Sequence, residues 1–76
     1  MKELIEFVAT RLVDRPEAVA VSEKEEGDTL LLELRVAQDD LGKVIGRQGR
    51  TARAMRTLLA IPAGRAGRKV RLEIAE

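Results

Sequence analysis

The apolar residues of this chain change their spacing three times in 76 residues, and that rhythm sets the order in which helices and strands can follow one another. Leu4, Ile5, Val8 and Leu12 recur at helical spacing with Phe7 flanking them, which predicts a helix over 3–13 with one buried face. Glu3 and Glu6 near its start and Arg11 near its end suit the helix dipole, and Pro16 stops it. From Glu17 to Val36 the spacing falls to two. Val19 and Val21 alternate on one strand, Leu30, Leu32, Leu34 and Val36 on the next, and Glu26, Gly27 and Asp28 form the turn of a hairpin. After a basic segment the chain resets at Ile61, Pro62, Ala63 and Gly64, where proline and glycine end a helix. Val70, Leu72 and Ile74 then alternate with Lys69, Arg71 and Glu73 as a last strand. The predicted fold is α+β, in the order helix, strand, strand, helix, helix, strand. Three helices cover one face of a three-stranded sheet in a single domain over 1–76.

The segment DDLGKVIGRQGRTARAMRTLLA, Asp39 to Ala60, would read as one amphipathic helix but for its glycines. A glycine inside a helix costs roughly 0.5–1 kcal/mol relative to alanine, so Gly46 and Gly49 argue for a break. Asp39 or Asp40 caps a helix of about one turn, Leu41 to Ile45, with Gly42 as a flexible or closely packed position in it. A second helix begins at Gly49 or Arg50, with Ala52, Met55, Leu58 and Leu59 within an arc of about 120°. The joint, Gly46-Arg47-Gln48-Gly49, presents the unpaired N–H groups and positive potential of a helix start, a ready site for phosphate. The glycines let a sugar-phosphate backbone approach. Arg47 and Arg50 supply charge, Gln48 supplies donors, Lys43, Arg53 and Arg56 lie to either side, and Val44 and Ile45 offer an apolar ledge. Arg56 is the most distant cation, about 9 Å along the axis from Arg50 at about 1.5 Å per residue.

The formal charge of +1 conceals an asymmetry. Residues 1–40 carry five Lys and Arg against eleven Asp and Glu, a balance of −6; residues 41–76 carry nine against two, a balance of +7. The positive second half favours an anionic partner, although the same division also lets the halves attract each other and close the fold. Neither cysteine nor histidine is present, so no disulfide, metal or other cofactor is expected. No catalytic residues are expected either, because Tyr and Trp are also absent and the carboxylates are concentrated in the first half. GRQGRT departs from a Walker A loop: its upstream glycine would fall at Val44 and its lysine is Arg50. No apolar run approaches the roughly 20 residues of a membrane span, and Glu3, Glu6 and Asp14 rule out a targeting peptide, which predicts a cytoplasmic protein without a membrane partner.

VIGRQGR, a hydrophobic pair followed by GxxG with a basic first variable residue, resembles the signature loop of KH RNA-binding domains. The element order is similar to the type II, prokaryotic arrangement. The chain resembles the small stand-alone bacterial KH proteins of the KhpA (YlqC) family, from LVDRPEAVAV through LLLELRVAQDDLGKVIGRQGRTARAMRTLL to the last strand. That resemblance implies a groove gripping roughly four nucleotides of single-stranded RNA. Gly46, Arg47, Gln48 and Gly49 would clamp the RNA backbone, Val44, Ile45 and the sheet would form the base-facing wall, and the variable loop would fall at the acidic hairpin turn from Ser22 to Asp28. Arg47 and Arg50 rank first among the cations, then Lys43 and Arg53, then Arg56. The loop from Ala63 to Arg68 is a solvated connection or, through Arg65 and Arg68, a peripheral RNA contact. The resemblance further implies an RNA chaperone or post-transcriptional regulator, a part in cell shape, homodimers, and pairing with a larger partner of the KhpB (Jag) type.

RRM and OB-type binders stack bases on aromatic rings, and Phe7 is the one aromatic here, placed for core packing. The main alternative is a protein-interaction module whose GxxG is a structural turn. On the second helix Ala54, Leu58 and Ile61 fall beside the core stripe; they either complete a thin core or form an exposed strip that serves as a dimer surface.

Overall fold

The computed structural model describes residues 1–76. Its helices are α1 (Lys2–Leu12), α2 (Leu41–Ile45) and α3 (Arg50–Arg65); its strands are β1 (Ala20–Glu26), β2 (Thr29–Arg35) and β3 (Lys69–Ile74). Short 3₁₀ turns at Pro16–Ala18, Gln38–Asp40 and Arg47–Gly49 join them. The expected α+β order is observed. The first turn takes up Pro16–Ala18, which is why β1 starts at Ala20 rather than at Glu17.

The sheet runs β1-β2-β3, with β1 antiparallel and β3 parallel to the central β2. Gly27 at φ +62° leads a two-residue turn that pairs Glu26 with Thr29. The parallel register sets Leu30 beside Val70, Leu32 beside Leu72 and Leu34 beside Ile74, so the alternating residues of both strands share one face. The helices cover that face. Ile5 and Ala9 of α1, Val44 of α2, and Met55 and Leu59 of α3 join Val21, Leu30, Leu32, Leu34 and Leu72 in one core. Each large aliphatic side chain in it contributes about 1.5–3 kcal/mol by leaving water.

Three sequence expectations give way. Phe7 is exposed, and the Arg11 guanidinium lies 4.2 Å from its ring centroid, because the buried face of α1 turns on Ile5 and Ala9 and leaves Phe7 outside it. Leu12, at the end of the same helix, is also largely exposed. On α3, Leu58 is exposed while Ala52, Met55 and Leu59 are buried, so the buried face is narrower than the 120° arc.

The third correction concerns the end of α3. Pro62 lies inside the helix, which continues to Arg65. Proline removes its own N–H bond and crowds the Leu58 carbonyl four residues back, a local cost offset where buried Ala63 holds the following turn against the core. The stop comes at Gly67, φ +69°. There the Arg68 N–H donates to the Ala63 carbonyl at 2.8 Å and the Gly67 N–H to the Gly64 carbonyl at 3.1 Å, the paired bonds of a Schellman cap.

Candidate functional site

A five-residue helix does not persist without tertiary support. Two side chains four residues apart supply it to α2: Val44, fully buried in the core, and Asp40, 1% exposed and the one buried charged residue. Asp40 makes no capping bond to α2, contrary to the sequence expectation. Its carboxylate faces the other way, accepting the Asp14 N–H at 3.2 Å and the Arg15 N–H at 3.1 Å beyond the end of α1, and Lys43 at 3.4 Å. Lys43 also pairs with Asp14 at 3.1 Å. Burial pushes the Asp40 carboxyl up, but the two backbone donors and Lys43 outweigh it and hold the group below its ordinary value. Hydrogen bonds to Asp14 and Asp40 raise the Lys43 ammonium.

The elbow follows. Gly46 takes φ 76°, ψ 172°, a region essentially restricted to glycine. A Cβ there would fall on the Thr51 hydroxyl and 2.8 Å from both the Cβ and the backbone nitrogen of Thr51, so Gly46 lets the first turn of α3 close onto the end of α2. Gln48 (φ 58°, ψ 26°) and Gly49 (φ 74°, ψ 14°) are left-handed, and together they turn the chain into α3. The Gly49 N–H donates to the Gly46 carbonyl at 3.1 Å and the Arg50 N–H to the Arg47 carbonyl. Nothing lies within 4 Å of a Cβ built at Gly49, so the open approach expected of both glycines belongs to Gly49 alone. Gly42 likewise faces open space, which removes close packing as its reason.

Arg47, Gln48, Arg50 and Arg53 are exposed around this elbow. None of the arginines forms an ion pair, and Arg50 makes only a 3.5 Å contact to Gln48. No side chain caps the start of α3 and its first turn holds no acidic residue. The positive end of α3 and three free guanidinium groups therefore face the same solvent region, an arrangement that attracts phosphate.

Other predicted residues are placed differently. Val44 is fully buried and cannot face a ligand, because a one-turn helix needs it as its apolar pin; Ile45 is half-buried. Lys43 is held by Asp14 and Asp40. Arg65 is exposed in the last turn of α3, whereas Arg68 pairs with Glu25 at 3.0 Å across to β1. Ala54, Leu58 and Ile61 are all exposed, Ile61 at 59%, which decides for the exposed strip over the completed core.

Two features escaped the sequence. One is Asp40 as a buried anchor; its spacing of four from Val44, a carboxylate on the apolar face of its helix, was the available signal. The other is a groove of about 560 Å³ between α3 and β3, lined by Arg56 and Leu59 of α3 and by Val70, Arg71, Leu72, Glu73 and Ile74 of β3. Nothing in the alternation of β3 announces that groove, because it exists only if β3 is an edge strand. The loop at its far end is Ala66–Arg68, which joins its two walls, rather than the hairpin turn. Arg56, the most distant cation in the sequence, crosses the groove: its Nε and Nη2 donate to the Leu72 carbonyl at 3.4 and 3.3 Å.

The family model described as KhpA/KhpB, KH domain, matches residues 2–74. The chain is similar to RNA-binding protein KhpA of Halalkalibacterium halodurans, 50% identical over 76 residues with all of both chains covered. It is similar also to RNA-binding protein KhpA of Chlamydia muridarum, 49% identical over 76 residues, covering all of this chain and 97% of that protein. Among solved structures it resembles Era, crystallised with MgGDPNP and nucleotides 1506–1542 of 16S ribosomal RNA, with a TM-score of 0.60 and 23% identity. The match covers 96% of this chain and 28% of Era, and at that identity it speaks to the fold alone.

Proposed function

Because the chain belongs to the KhpA/KhpB family of KH domains, we propose that it is an RNA-binding protein whose Gly46–Gly49 elbow clamps the backbone of single-stranded RNA. The observation that carries this reading is the elbow: a left-handed turn at Gln48 and Gly49, an uncapped helix start, and Arg47, Arg50 and Arg53 without anionic partners inside the chain. Gly49 admits the phosphate backbone, and the three guanidiniums contact it in succession along α3. Bases turn toward the groove between α3 and β3, with half-buried Ile45 beside the clamp; Arg65 adds a peripheral charge.

The protein acts without catalysis, as an RNA chaperone or post-transcriptional regulator, in the cytoplasm, and residues 1–76 form one KH domain. No helix is long and apolar enough to cross a membrane. The exposed strip of Ala54, Leu58 and Ile61 supports a homodimer in which a second copy covers it, and the same surface suits the KH domain of a KhpB (Jag)-type partner.

Arg47→Asp combined with Gln48→Asp reverses the elbow's charge at exposed positions. Binding to a fluorescent single-stranded RNA is expected to be lost while the melting temperature stays near wild type. In wild type, log affinity falls against log salt with a slope of about −0.7 per neutralised phosphate, roughly −2 for three contacts. Undiminished binding by the double variant overturns the clamp, and a salt-independent affinity overturns the backbone contact.

A further inference from the structure

We propose that the outer face of α1 is a contact surface for a second copy of this chain, built on Glu3, Phe7 and Arg11 and separate from the strip of Ala54, Leu58 and Ile61 on α3. It depends neither on RNA binding nor on that strip.

Phe7 is the one aromatic residue of the chain, and it is 57% exposed. Glu3, Phe7 and Arg11 follow one another at intervals of four along α1 and are all exposed, so they form a single ridge on its solvent side. The ridge carries opposite charges at its two ends and an apolar centre. Glu3 and Arg11 stand about 12 Å apart along the axis at about 1.5 Å per residue, too far to pair with each other. Neither belongs to any ion pair of the chain. The Arg11 guanidinium lies over the Phe7 ring, 4.2 Å from its centroid, a contact that occupies one face of the group and leaves the N–H donors at its edge free.

A rotation of 180° about an axis through Phe7 supplies every missing partner at once. It sets two α1 helices antiparallel, so that residues equally far from Phe7 in opposite directions become neighbours. Phe7 then meets Phe7 of the second copy, Glu3 meets Arg11 and Arg11 meets Glu3. Lys2 falls opposite Leu12 and Glu6 opposite Val8, so no like charges are brought together. The opposed helix dipoles also attract. Ridges at intervals of four interdigitate in the commonest class of helix packing, which is the packing this face offers. RNA is a poor occupant, because Glu3 and Glu6 would face its phosphates and residues 1–40 hold eleven Asp and Glu against five Lys and Arg. One helix pair buries less than the roughly 1,200 Å² of a stable dimer, so the contact is weak, with a Kd of about 0.1–1 mM. Together with a twofold contact through α3, it links dimers into larger assemblies.

The test takes Ile61→Glu as the parent, which closes the α3 strip to association, and follows the full chain by sedimentation equilibrium from about 0.05 to 1 mM. The parent is expected to dimerise with a Kd of about 0.1–1 mM, and about threefold or more weakly in 0.5 M than in 0.05 M salt. Phe7→Ala, Glu3→Arg and Arg11→Glu, each added to the parent, should weaken association about tenfold or more. Their circular dichroism spectra and melting temperatures stay near the parent's, since all three positions are exposed. An equimolar mixture of the Glu3→Arg and Arg11→Glu proteins should associate at least as tightly as the parent, because each chain of the mixed pair meets opposite charge at both ends of the ridge. A parent that stays monomeric to 1 mM overturns the inference, as does a salt-independent Kd. So does a mixture that associates no better than its two components.

Discussion

Replacing Gly46 by alanine probes the elbow through two separate terms. The first is backbone: φ 76°, ψ 172° is a glycine region, and an L residue forced into it is strained by roughly 1–3 kcal/mol. The second is steric. The new Cβ meets the Cβ and backbone nitrogen of Thr51 at 2.8 Å, so the first turn of α3 must move away from α2, an overpacking worth about 1–3 kcal/mol. Loss of glycine's freedom in the unfolded chain returns about 0.4–1 kcal/mol, leaving a net destabilisation of roughly 1–5.6 kcal/mol. At about 0.05–0.15 kcal/mol per residue, a domain of this size has some 4–11 kcal/mol in total. The melting temperature should fall by at least about 4 °C, at roughly 4–8 °C per kcal/mol. Gly49→Ala is the control. Its φ is just as positive, but nothing lies within 4 Å of the new Cβ, so only the left-handed penalty of about 1–2 kcal/mol applies, less the same entropic gain. Thermal unfolding followed by far-UV circular dichroism is the assay. Because one of the clashes is with a backbone atom, adding Thr51→Ala to Gly46→Ala should recover only part of the loss. Equal melting of the two glycine variants, or full rescue by Thr51→Ala, would refute the account of the elbow as a close approach of α3 to α2.

Phe7→Ala should cost less than about 1 kcal/mol in urea unfolding, since its ring is mostly in water, whereas Ile5→Ala, two residues away on the opposite side of α1 and fully buried, should cost about 2–5 kcal/mol. Asp40 has a lowered folded pKa, so the stability it contributes is present above its ordinary value of 3.8 and lost as pH falls through the folded value. Asp40→Asn should therefore be less stable than wild type at neutral pH, with the gap narrowing in acid; a constant gap across a pH series of melting curves would argue against the charge. Ile61→Glu should leave the melting curve of a dilute sample intact and convert any dimer seen by light scattering to monomer, because Ile61 is 59% exposed. Pro62→Ala should raise the melting temperature by restoring an N–H to the interior of α3; a decrease would mean that the helix needs the kink.

Local rules determined much of this protein. The change of period from helix to hairpin to helix to strand is written in Ile5, Val21, the Leu30-Leu32-Leu34 run and Leu72, because side-chain direction follows backbone geometry alone. The break at Gly46 and Gly49 is equally local, since glycine is the residue that left-handed and extended positive-φ positions demand. What the chain could not announce depends on which elements become neighbours. Pro62 reads as a stop until Ala63 is seen packed in the core and Gly67 supplies the cap. Val44 reads as a ledge for bases until α2 is seen to need it as a pin, and Phe7 reads as core until the buried face of α1 is seen to turn on Ile5 and Ala9. Asp40 reads as a helix cap, and only the arrival of the Asp14 and Arg15 N–H groups, some 25 residues earlier in the chain, turns it into a buried anchor. The groove of Arg56 and Leu72 is the extreme case. It joins residues 16 apart through the position of β3 at the sheet edge, and strand order is settled by tertiary packing, not by the pattern within any one strand.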